Sequence, residues 1–116
     1  MSRKRFEIIS TAFDKRGRPI TTQRNSYSRT HTLQKYFSEK VGMHPDRAYL
    51  HAELHACIKS NGRPIETMLV QRFDAEGNPA DAKPCPSCVE ALKAFGVQKV
   101  RWTSRDGIKE QKVEDM

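Results

Sequence analysis

The sequence predicts an α/β protein in which helices pack on a mixed sheet whose last strand runs antiparallel to its neighbour. Three observations predict it. The apolar periodicities run strand, strand, helix, helix, strand, helix, strand. The later strand-helix-strand unit is a crossover, which joins parallel strands and lays its helix on the sheet. Asp106-Gly107 is a hairpin turn signal with only nine residues after it. Nine residues are too few for another crossover, so a final strand pairs antiparallel with the strand before it. A frayed, charged tail is the alternative.

The elements follow in order. RFEIISTAF (Arg5 to Phe13) and ITTQRNSY (Ile20 to Tyr27) read as strands around the turn DKRGRP, an early hairpin. HTLQKYFSEKVG places Leu33, Tyr36, Phe37 and Val41 at helical spacing, with Gly42 as the stop. Pro45 marks a loop. A second helix runs from about Leu50 to Ser60, and Asn61-Gly62 terminates it. ETMLVQRFD (Glu66 to Asp74) is a strand, and AEGNPADAK reads as a polar loop. CPSCVEALKAFG is a third helix, with Val89, Ala91, Leu92 and Phe95 as its apolar positions and Gly96 as C-cap. VQKVRWTS (Val97 to Ser104) is a strand. No internal repeat is legible.

The bulk numbers bound the function. A chain of 116 residues suits one domain with a single core, so residues 1–116 are read as one domain. Hydrophobic content of 36% and charged content of 30% fit a globular protein. No apolar run reaches the roughly 18 residues of a membrane span. The N-terminal MSRKRFEIIS lacks a signal-like apolar stretch, so a cytoplasmic protein is expected. Three cysteines, two of them in CPSC, point to metal or redox chemistry rather than a disulfide framework. The net charge of +7 favours a polyanionic or phosphorylated partner. A merely basic surface reads equally well, because the basic residues are scattered along the chain.

The chemistry gathers in two short stretches. HAELHA (His51 to Ala56) carries two histidines four apart, but Ala52 separates the first from Glu53, so it is not the H-E-x-x-H of zinc proteases. A metal at the side of the helix would take His51 and His55. A metal at its N-terminal end would be reached by residues 51 and 53. Cys85 and Cys88 have C-x-x-C spacing at the start of a helix, where the helix dipole favours thiolates. Two thiolates and one imidazole leave a fourth zinc position open, the catalytic pattern. A closed four-ligand set is structural.

His51-Ala52-Glu53, then thirty residues, then Pro84-Cys85-Pro86-Ser87-Cys88, with a strand between and a helix at each, matches the H-x-E and P-C-x-x-C pair of zinc deaminases. The chain resembles the cytidine deaminase superfamily over nearly all its length. RNSYSRTHTLQKYF further resembles small, often phage-encoded members. The resemblance implies a three-layer α/β/α cytidine deaminase-like fold with a mixed five-stranded sheet. It implies one zinc ion per chain, held by His51, Cys85 and Cys88. It implies hydrolytic conversion of cytosine to uracil, with Glu53 moving protons between a zinc-activated water and the base. It assigns substrate contacts to Asn25, Ala52 and Pro84, the first toward the sugar, and implies a homo-oligomer.

Other residues have plainer readings. His55 lines the pocket, sits on the surface, or closes the site as a fourth ligand. Cys57 lies about 240° round the helix from His51, a core position. Trp102 and Phe95 read as core. Thr30 and His31 are candidates for the entrance, and Tyr27 for stacking on a base. For the substrate, a cytosine nucleoside or nucleotide competes with single-stranded DNA or RNA, which the charge supports. Many nucleoside enzymes of the superfamily carry Cys where this chain has His51, which moves weight toward a phosphorylated substrate. Adenine and guanine stay open. A non-catalytic, zinc-stabilised nucleic-acid-binding module would need the closed site.

Overall fold

A computed structural model describes residues 7–25, 31–42 and 51–116. β1 (Glu7–Phe13) and β2 (Pro19–Arg24) form the expected antiparallel hairpin, with a bulge between Ala12 and Phe13. At its turn, Asp14 Oδ1 accepts the backbone N–H groups of Arg16 and Arg18, each at 2.9 Å. Gly17 follows with φ 79°, the left-handed residue this turn demands. The same device recurs further on. Asp74 Oδ1 accepts from Glu76 and Asn78 at 2.9 Å each, and Gly77 has φ 84°. Both turns read Asp-x-x-Gly-x-Pro, a shared turn motif of six residues rather than an internal repeat of the fold. The second folds part of the expected polar loop into a two-residue strand, β4 (Pro79–Ala80), on β3 (Thr67–Phe73). Among the described residues the sheet therefore has six strands rather than five.

The sheet order is β2-β1-β3-β5-β6, with β4 paired to β3 off this path. β1 is antiparallel to β3, β5 (Lys99–Ser104) is parallel to β3, and β6 (Gly107–Lys112) is antiparallel to β5. The tail thus forms the expected last strand. A short 3-10 turn, Val113–Asp115, follows and buries Val113.

Side chains alternate across the sheet, and one face holds the core. Ala12, Met68, Val70, Val100 and Trp102 point to it. α1 (Thr32–Lys40), α2 (Ala52–Lys59) and α3 (Pro86–Ala94) add Phe37, Leu54, Ala56, Cys57, Ala91 and Leu92 to the same cluster. α2 packs on β1 and β2, and α1 packs on α3. The opposite face carries Glu7, Thr11, Thr22, Lys99, Arg101 and Glu110, partly ion-paired, and no described helix covers it. That face also carries the partly buried Ile9, Leu69 and Phe73, and the described helices join the core on the other one, in the mixed α/β architecture expected. Trp102 is core as read. Phe95 is 37% exposed and Tyr36 54% exposed, so neither belongs to it. α1 instead buries Gln34, Phe37 and Ser38. No described helix is long and apolar enough to cross a membrane.

Thr103 pins the segment that leads into α3. Its Oγ1 donates to Ala80 O at 2.9 Å and accepts from Arg72 N at 3.0 Å, while Ala82 N donates to Thr103 O at 2.9 Å. The chain is thereby held on β5 just before Pro84 and Cys85.

Candidate metal centre

His51 is the N-cap of α2 and Cys85 the N-cap of α3, both with extended backbone. Helices usually place Ser, Thr, Asp or Asn there, to accept a first-turn N–H. Neither His51 nor Cys85 does so. Their side chains face each other instead. His51 Nδ1 lies 3.2 Å from Cys88 Sγ and 3.5 Å from Cys85 Sγ. Cys88 is one turn into α3, and Pro86, which has no N–H to lose, opens the helix between them. The two helix N-termini thus deliver one nitrogen and two sulfurs to one point, all within 4.8 Å of one another.

This set fits zinc. Tetrahedral zinc, about 2.0–2.1 Å from nitrogen and about 2.3 Å from sulfur, separates such ligand atoms by roughly 3.6 Å. Among the described residues no fourth ligand joins the group. His55, one turn on, is turned away, with Nδ1 3.3 Å from Arg24 O.

Electrostatics favour the ligating thiolate at Cys85, whereas Cys88 and His51 are shifted toward their protonated forms. The Cys88 thiol bonds Cys85 and holds its sulfur well below the ordinary thiol range, with His51 and Ser87 adding to the effect. Cys88 moves the other way, first because of that shared bond and then because of burial. Cys85 in turn holds the His51 imidazole above its usual value. Ser87 is buried, with Oγ 3.1 Å from Cys85 Sγ.

Glu53 is buried in the first turn of α2, and its carboxyl lies beside Cys88. Burial raises its pKa above the ordinary carboxylate value, against the pull of His51. Ala52 and Pro84 are buried next to the ligands. Asn25 sits at the end of the hairpin, where its N–H donates to Ile8 O and its Oδ1 accepts Ile8 N–H, both at 3.1 Å. Its oxygen therefore closes the strand pair. His31 is the N-cap of α1, its Nδ1 accepting Leu33 N–H at 3.0 Å. Cys57 is a core thiol, pushed up to about 12 by burial. Tyr27 and Thr30 lie outside the described residues.

Two contributors had no motif. Ser87 occupies a variable position of the C-x-x-C spacing. Gln34 accepts His51 N–H from α1 at 3.1 Å. The only hint in the sequence is a polar residue one turn before Ser38 on a short helix.

Among solved structures, the crystal structure of cytidine deaminase from Mycobacterium leprae is similar to this chain, with a TM-score of 0.50 and 20% identity. The match covers 90% of this chain and 74% of that one. The likeness is one of fold: the chain has a cytidine deaminase-like fold. No family model and no curated protein matches the chain.

Proposed function

We propose that this chain is a zinc-dependent hydrolytic deaminase that converts cytosine to uracil in a nucleoside or nucleotide. One observation carries the reading: a three-ligand His51, Cys85, Cys88 set at two helix N-termini, with the buried carboxyl of Glu53 beside it. Zinc in such a set supplies a water of lowered pKa, able to attack the ring carbon that bears the amino group. Glu53 would move two protons in turn, one from the attacking water to the ring nitrogen and a second from the new hydroxyl to the amino group, which leaves as ammonia. Its burial keeps that carboxyl away from competing solvent. The backbone at Ala52 and Pro84 borders the base, and Asn25 contacts the sugar through its amide nitrogen. The motif resemblance supports membership of the superfamily and a homo-oligomer, RNSYSRTHTLQKYF supports a small, phage-type member, and a cytoplasmic site of action completes the reading.

Cytosine in single-stranded DNA or RNA is the second reading. The net charge of +7 favours it, and Lys83, Arg105 and Lys109 line one surface cavity of about 340 Å³ with Trp102, Asp81 and Asp106. A substrate panel separates the two. Zinc-loaded protein is offered cytidine, deoxycytidine, their monophosphates and a cytosine-containing single-stranded oligonucleotide. Turnover of a monomer is expected. Turnover of the oligonucleotide alone would replace the first reading with the second.

A further inference from the structure

His51 carries its side chain into the candidate metal centre, but its backbone also needs a partner. As the N-cap of α2, its N–H lies outside the helix. Many helices satisfy that N–H with a Glu or Gln at the third helical position. Here that position is Leu54, which has no acceptor. Gln34 of α1 takes its place, and its Oε1 accepts His51 N–H at 3.1 Å. Gln34 is 1% exposed, and its Nε2 donates to Ser38 Oγ at 3.3 Å one turn along α1. Ser38 is equally buried. The amide is held at both ends, and only one of its two orientations satisfies both bonds.

We propose that Gln34 is a positioning residue for the metal ligand His51, supplying from α1 the cap that α2 lacks. The inference rests on the zinc reading above. The imidazole atom turned to the sulfurs is Nδ1. Only three covalent bonds separate Nδ1 from Cα, so a shift of the His51 backbone passes almost directly to the ligating atom. Groups that orient metal ligands typically contribute about 10- to 100-fold to metal affinity.

The test is zinc affinity of the full chain, by competition with a chromophoric chelator, together with the visible spectrum of the cobalt-substituted protein. Gln34→Leu removes the acceptor and Gln34→Asn draws it back by one methylene. Gln34→Glu keeps an acceptor at the same reach. Leu and Asn are expected to weaken zinc by about 10- to 100-fold and to alter the cobalt bands. Glu is expected to stay close to the unaltered protein. The melting temperature of the metal-free variants reports any purely structural role. A Leu variant that melts lower without metal, yet keeps its zinc affinity and cobalt spectrum, overturns the inference. If the Leu variant does not fold, equal affinities in the Glu and Asn variants overturn it. An unaltered protein that binds no zinc overturns the metal reading itself, a failure visible before any substitution is made.

Discussion

Glu53, His51, Cys85 and Cys88 were legible as letters because their chemistry is written in spacing: x between His and Glu, x-x between the cysteines. Gln34 was not, because its partner His51 is brought within 3.1 Å by another element, and Ser87 was not, because it fills a variable position of the cysteine spacing. Each gives an expectation at this scale. His51→Ala removes one of three ligands and should abolish stoichiometric zinc, measured by metal analysis after dialysis. Cys57 should resist thiol reagents until the protein unfolds, since it is buried with its pKa pushed up to about 12. Half-exposed Cys85 should become alkylated once a chelator strips the metal. Mass mapping of native, chelated and denatured samples checks both.

Among the elements, periodicity told which segments are helical but not always which side faces in. Tyr36 and Phe37 are neighbours in sequence, yet α1 buries Phe37 with Gln34 and Ser38 and leaves Tyr36 outside, its ring edge-on at 5.0 Å from Phe37. The run AEGNPADAK looked like loop because a two-residue strand has too little pattern to see. Its twin, DKRGRP, was legible because long apolar strands flank it. The twin turns also carry a pH dependence. Asp14 lies below the ordinary 3.8, first because of the Arg18 N–H, and Asp74 likewise because of the Asn78 N–H. A lowered folded pKa means the turn's stabilising share is complete above the ordinary value and is lost as pH falls through the lower one. Amide shifts of Arg16 and Arg18, followed by NMR in acid, should titrate with a midpoint under 3.8. Gly77→Ala meets no atom within 4 Å but must hold φ 84°, so it should cost about 1–2 kcal/mol in urea unfolding. Thr103→Val keeps the shape but removes the hydroxyl that bonds Arg72 N–H and Ala80 O, and should cost about 1–3 kcal/mol.

In the molecule as a whole, the early hairpin, the parallel crossover and the antiparallel tail followed from element order, chain length and turn chemistry. Which face the described helices cover did not, since it depends on the side chains that strand pairing brings together. The same assembly joins fold to site: α2 and α3 are packed so that their N-termini meet, α1 braces one of them through Gln34, and Thr103 holds the chain that enters the other. Ligand that binds only the folded state stabilises it, so chelation should lower Tm and added zinc restore it. The most direct test of the central claim is to measure zinc content and ammonia release on the same samples of unaltered protein and Glu53→Ala. The expected result is one zinc ion in each chain of both, with turnover of a cytosine nucleoside or nucleotide reduced by about 10²- to 10⁴-fold in the variant. Zinc-loaded protein that deaminates no cytosine substrate, or a variant as active as its parent, would contradict it.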